Sequence, residues 1–279
     1  MVFNKDFFDK AGADYPPVDR SLEWLEYAEL CRQVAQPNQD PTKAVYCGSV
    51  PDWGFGIYGK WLFGPDGRRV IGNMDSDEHI EAWNVGTALV RDKIAPGQIL
   101  NTVAEPDLFT QKGTAMVWTD FSFVRDYQAS GLNFGIIPSP VQSDSVTFVD
   151  TWTTAWGTFV ESKNHHPALT FLQFLGTEAQ YIRPNVSVDP PLSLKVAEEI
   201  NYGAGDPIKQ EYLKVLDGGA KPQVFVPPLP EGAWEPADVY NEMTVQGKTD
   251  ARPILEAETK TQPILDQAWK SWEALGRRS

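Results

Sequence analysis

Cysteine is scarce in this chain: Cys31 and Cys47 are the only two among 279 residues, so a small disulfide-framed domain is excluded. They read either as two free core thiols or as a single bridge. The bridge requires an oxidising compartment and a helix carrying Cys31 packed beside a strand carrying Cys47. Histidine is scarcer still relative to need: the 3 His residues are too few and wrongly spaced to build a zinc site with those cysteines. Basic residues are outnumbered, 24 Lys and Arg against 38 Asp and Glu, a net charge of −14. That balance excludes a broad phosphate-binding surface, because nucleic-acid affinity comes from clustered cations. No apolar run approaches the roughly 20 residues that cross a bilayer, and the first residues lack the pattern of a signal peptide. Read literally, the chain as given is soluble and unexported.

What is present is a globular composition, 42% hydrophobic and 22% charged with 22 Gly and 22 Pro, long enough to bury a real core. Aromatic content stands out, with 10 Trp. Most such rings fill core and interlobe gaps, and a minority line a cleft where flat apolar faces stack on a ligand.

Along the chain, Trp24, Tyr27, Ala28, Cys31, Val34 and Ala35 recur at helical spacing, predicting a helix over 21–35 capped by Ser21 and ended by Pro37. Residues 43–48 read as a strand and Pro51-Asp52-Trp53-Gly54 as a loop. Gly64-Pro65-Asp66-Gly67 is a turn. Asp75 and Glu78 then form a capping box for a helix burying Ile80, Trp83, Thr87 and Val90. Strands are expected at Val117-Trp118, at 133–137 and at 152–160. Pro167 opens a helix over 168–175 that Gly176 stops. A proline-rich stretch, 222–236, precedes two C-terminal helices whose inner face is Ile254, Leu255, Ile264, Leu265 and Ala268. Alternating strands and helices predict an α/β fold.

Several segments carry a resemblance. Val2-Phe3-Asn4-Lys5-Asp6-Phe7-Phe8-Asp9-Lys10-Ala11-Gly12, with Tyr15-Pro16-Pro17 after it, resembles the "YNKDLFDKAG…P" signature of the sugar-type extracellular solute-binding proteins of bacterial ABC importers, the maltose-binding-protein-like family 1. Asp75 to Ala82 is similar to that family's "DSPEAIEA". Phe109-x-x-x-Gly113-x-Ala115-Met116 is similar to its "F-x-x-G-x-A-A-M", and Phe134 to Pro138 to "FGVAPLP". Glu161 to Leu175 resembles "SKHPEAAWEFLKFL", with Thr177-Glu178-Ala179-Gln180 in the place of "SPEAQ". The collinear order covers nearly the whole chain.

The resemblance implies a periplasmic-binding-protein-like fold of type II: two α/β lobes closing on a ligand. It also implies a chain N-terminally truncated, because the opening signature falls well inside the family's polypeptide and begins here at residue 2. Residues 1–150 would form the second lobe, 151–202 a returning segment of the first, and 203–279 second-lobe and hinge helices. The strand and helix between 152 and 175 would then lack their sheet, leaving apolar faces open. The family further implies a periplasmic or extracellular lipoprotein, a monomer without cofactor or metal, that hands its ligand to ABC permease subunits.

Candidate ligand-binding residues follow from chemistry and from that resemblance together. Trp53 offers a flat face to the axial C–H groups of a sugar ring, with Asp52 beside it to accept from hydroxyls. Trp118, Asp120 and Phe121 follow the Ala-Met turn, where this chain lacks the family's Gly-x-Trp. Asp120 serves either a hydroxylated or a cationic ligand, or caps a turn. Trp152 and Thr153 stand where relatives carry a glycine-rich cleft segment, and Trp234 where they place another aromatic, or else it packs the hinge. Trp156 reads as core. The pair His165-His166 reads as a helix start rather than a metal site, since adjacent side chains diverge.

The leading reading is a non-enzymatic protein capturing a mono- or oligosaccharide. The alternatives are the same fold binding a polyamine, a peptide or a glycerol phosphodiester, and a truncated form that binds nothing. A glycosidase working through a carboxylate pair has less support. The hydrolase, phosphate-loop, dinucleotide and His-Glu-x-x-His motifs are all missing.

Overall fold

The opening signature folds as a strand, a cap and a helix, and each of its letters has a physical task. The structure, a computed structural model, describes residues 1–48, 50, 62–64, 66–141, 156–187, 189–217 and 230–275. Strand β1 (Val2–Asn4) is buried along its length. Asn4 then caps α1 (Lys5–Ala11) by accepting from the Asp6 N–H at 3.0 Å, which satisfies a donor that the helix start leaves orphaned. Phe8 points inward, and Gly12 ends the helix in the left-handed region at φ 66°, a conformation that a residue with a Cβ adopts at a cost.

Strand β1 is the middle of a three-stranded antiparallel sheet in the order β2 (Met116–Val117), β1, β3 (Phe134–Ile136). Val2 lies opposite both Val117 and Ile136. The ladder continues past β3, where the Ile137 N–H donates to the Met1 carbonyl at 3.0 Å. Helices α2 (Trp24–Val34), α3 (Asp77–Arg91), α4 (Glu105–Thr110) and α5 (Val124–Ala129) fill the sequence around this sheet. After residue 156 the described elements are all helical: α6 (His165–Gly176), α7 (Ala179–Val186), α8 (Leu194–Glu199), α9 (Pro207–Asp217), α10 (Glu235–Val245) and α11 (Arg252–Ala274).

Helix α2 buries the predicted face: Trp24, Tyr27, Ala28, Cys31 and Val34. Its cap is not Ser21, as the sequence suggested, but a capping box of Glu23 and Glu26, which starts further along the chain and whose Glu26 pairs with Arg20. Residues 43–48 form no strand. Val45 and Tyr46 make only isolated bridges, to Gln36 and Thr114. Even so, Cys47 comes to lie beside α2 and is bonded to Cys31, with their Cα atoms 4.9 Å apart. This resolves the choice between free thiols and a bridge. Helix α3 begins after Ser76 without any side-chain cap bond, so Asp75 is not at the cap position the sequence suggested. Asp75 is engaged elsewhere.

Four apolar clusters hold these elements among the described residues, the smallest joining Ala44 and Tyr46 to Leu108 of α4. One joins β1, α1, α2 and the Cys47 segment. A second joins β2, β3, α5 and Val215 of α9. The third joins Leu62, Phe63, Met74 and Trp83 to α10 and α11. In the third, α11 buries Ile254, Ala257, Glu258, Thr261 and Leu265. The expected inner-face residues Leu255 and Ile264 are instead exposed, because the buried positions 254, 257, 258, 261 and 265 form one helical stripe and these two each lie one residue off it.

Helix α6 contributes to none of these clusters. It spans the predicted segment and starts with His165 and His166, yet it buries no residue. Leu169 and Phe171 are 57% and 55% exposed. Its packing neighbour is α7, whose Tyr181, Ile182 and Val186 are also exposed. The described part of the expected 152–160 strand, residues 156–160, is not a strand. Trp156, expected in the core, is 68% exposed, since no other strand pairs with this segment among the described residues.

Candidate functional site

The candidate site grows from the end of β2. Pairing with β1 fixes Met116 and Val117, and the chain then leaves the sheet through Trp118, Thr119 and Asp120 into a single 3-10 turn, Phe121–Phe123. Trp118 is half-buried against the cluster of β1 and α2. Asp120 occupies the cap position of the turn in extended conformation. Its carbonyl accepts from the Phe123 N–H at 3.2 Å, but its side chain makes no capping bond. The exposed carboxylate is therefore not consumed by holding the turn.

Phe121 lies flat on Tyr212 of α9, with ring centroids 3.8 Å apart and planes 8° apart. The Tyr212 hydroxyl titrates above its usual range, first because it is buried and then because Asp189 and Asp120 place negative charge nearby. Tyr202 is pushed up in the same way, by burial, by Tyr212 and by Asp189, and the Lys209 ammonium sits 5.1 Å over its ring. Asp189 accepts from Arg183 at 3.0 Å and from Ser187 at 2.7 Å. The stacked ring pair thus has the exposed Asp120 carboxylate next to Phe121 in sequence, and Asp189, itself held by Arg183 and Ser187, adds negative charge near Tyr212. Such a set offers flat apolar faces beside strong acceptors, the combination that matches a polyhydroxylated ring or an organic cation.

Of the residues expected at the site, Trp118, Asp120 and Phe121 follow one another along this loop, with Trp118 packed on the cluster of β1 and α2 and Phe121 on the cluster of β2, β3 and α5. Trp234 is not part of that group. It packs with the α10–α11 cluster, edge-on to Phe63 at 5.7 Å. Asp52, Trp53, Trp152 and Thr153 lie outside the described residues. Sequence reasoning missed Tyr202, Tyr212 and Asp189. The available signal was Pro190-Pro191 directly after Asp189, which turns the chain back between α7 and α8. Among the described residues, no group of three or more His, Cys, Asp or Glu is placed to hold a metal ion, and no helix is long and apolar enough to cross a membrane.

No protein-family model and no curated protein matches the chain. Solved structures do. An ABC substrate-binding protein from Listeria monocytogenes, in complex with cycloalternan, is 18% identical with a TM-score of 0.75, over 96% of this chain and 69% of its own. The sugar-binding protein MalE from the phytopathogen Xanthomonas citri is 16% identical with a TM-score of 0.71, over 100% of this chain and 70% of its own. A solute-binding protein from Thermotoga lettingae, bound with α-D-tagatose, is 16% identical with a TM-score of 0.67, over 96% of this chain and 69% of its own. The chain accordingly has the fold of the two-lobe periplasmic binding proteins of sugar ABC transporters, spanning about 70% of the length of these structures.

Proposed function

We propose that the protein is the solute-capture component of an ABC importer, binding a mono- or oligosaccharide between two lobes and presenting it to the permease. The observation that carries this reading is the fold shared, over nearly the whole chain, with structures whose ligands are cycloalternan and tagatose. The Trp118–Phe121 loop with Tyr212 and Asp189 supports it chemically. Binding is reversible and without turnover.

On this reading residues 1–150 and 203–279 make up the second lobe with its hinge helices, and 151–202 belongs to the first lobe. Two features support the division. Helix α9 packs on β3, and α10 on α3. Helix α6, by contrast, carries an apolar face that enters none of the second-lobe clusters. The Cys31–Cys47 bond supports an exported, oxidising location.

The test is a tryptophan-fluorescence and calorimetric titration with cycloalternan, mannotriose and tagatose, with spermidine and a glycerol phosphodiester as controls and product analysis alongside. Saturable binding of one sugar with no product is expected. A response to spermidine alone overturns the carbohydrate assignment in favour of a cationic solute, which the two carboxylates would also suit. Formation of product overturns the capture reading.

A further inference from the structure

The segment 67–75 lies along α11 as a strap, fastened by one face of that helix. Trp269 donates from Nε1 to the Gly67 carbonyl at 2.9 Å. The Arg68 guanidinium sits 4.1 Å over the Trp269 ring and pairs with Glu273 at 2.8 Å. Gln262 fastens the strap twice, donating to the Arg68 carbonyl at 2.9 Å and accepting from the Val70 N–H at 2.8 Å. One turn before it, Glu258 accepts from the Gly72 N–H at 3.2 Å and the Met74 N–H at 2.8 Å. The spacing from 258 to 262 and from 269 to 273 places successive fasteners one above another on the helix.

Glu258 differs from the other fasteners in being an acidic group with no exposed surface. The Asp75 carboxyl lies within hydrogen-bonding reach of it, and the Asp75 Oδ1 atom is itself buried with no other partner. Two carboxylates cannot hydrogen-bond to each other unless one holds a proton. The surrounding elements offer little positive charge. From the strap, Arg69 approaches Gly72, although its Nε is used by the Ile71 carbonyl. From α3 comes His79, buried with its ring edge-on to Tyr240 of α10 at 5.4 Å. Thr261, on α11 with Glu258, is also buried. Among the described residues no Lys or Arg forms an ion pair with Glu258.

We propose that Glu258 and Asp75 share one proton and act as a latch that holds the strap on α11, and that losing this proton as pH rises loosens the strap. Nothing in the sugar-binding reading requires this. Burial and the Asp75 charge raise the Glu258 carboxyl from its ordinary 4.5 to about 7, against the smaller opposing pull of the Met74 and Gly72 N–H groups. A carboxyl raised in the closed state favours closure below its open-state value, and the advantage is lost as pH climbs through the closed-state value. The window therefore runs from about pH 4.5 to about 7.

Amide hydrogen exchange at Gly72 and Met74, divided by the intrinsic exchange rate at each pH, tests the latch. In the wild-type protein the opening constant is expected to rise on the order of 100-fold between about pH 5 and about pH 8. Glu258→Gln keeps an acceptor for the strap and a donor for Asp75, and is expected to flatten that rise. Asp75→Asn removes the charge that raises Glu258, and is expected to shrink it. A wild-type opening constant that does not change with pH overturns the proposal, as does Glu258→Gln with the full rise retained. Should Glu258→Gln fail to fold, Asp75→Asn decides: a smaller rise supports the latch and an unchanged one overturns it.

Discussion

Breaking the Cys31–Cys47 bond is the perturbation whose size the structure fixes most directly. The bond closes a loop with a sequence separation of 16 residues. In the chain-entropy account a loop of that length restricts the unfolded ensemble by about 3 kcal/mol at 25 °C. Both cysteines are fully buried in the cluster of β1 and α2, so the reduced thiols stay packed and the entropic effect is the main one. Urea unfolding with and without a phosphine reductant measures it. For a urea dependence of about 3 kcal/mol per molar, the midpoint falls by roughly 1 M. The Cys31→Ala, Cys47→Ala double variant falls at least as far and no longer responds to reductant. An unchanged midpoint on reduction refutes the reasoning. Two free thiols in the unreduced, denatured protein refute the bond itself.

The other expectations concern packing and the site. Gly86 lies where α3 meets α2, and a Cβ there meets Val50 Cγ1 at 2.6 Å and Trp24 Cζ2 at 3.3 Å. Gly86→Ala therefore costs about 1 kcal/mol net in urea unfolding, overpacking outweighing the gain in helix propensity. Leu169→Ser with Phe171→Ser in α6 changes the unfolding free energy by less than about 0.5 kcal/mol, because neither side chain enters a core cluster, while binding of an apolar dye falls. A cooperative loss of stability would show that the face is covered. Asp120→Ala leaves the melting temperature near that of wild type, since its side chain caps nothing. It weakens sugar binding by about tenfold or more through a lost charged acceptor. Unchanged affinity removes Asp120 from the site.

Local elements were legible where one short stretch contained its own reasons. The segment 2–12 was read only as a resemblance, although its Asn4 cap, buried Phe8 and Gly12 stop follow one another in sequence. The buried face of α2 could be read from its period alone, and α6 was placed correctly from Pro167 and its apolar run. Caps were misread at α2 and α3, because a residue free to cap is also free to do something else. Ser21 yields to Glu23 and Glu26, and Asp75 turns to a glutamate on α11, 183 residues away in the chain.

The sequence by itself pointed to the class of fold, through the order of its short motifs. Tertiary structure decided which side chains meet. Cys31 found Cys47 without the expected strand, because isolated bridges from Val45 to Gln36, just past α2, and from Tyr46 to Thr114 hold the segment in place. Phe121 acquired Tyr212 as a stacking partner, and Asp120 and Asp189 came to act on one hydroxyl. Periodicity reports which face of an element is apolar, whereas contacts between distant elements depend on how those faces pack, and no local pattern encodes that. The apolar stripe of α6 makes the same point in reverse: its period is plain in the sequence, but burial requires a surface to pack against.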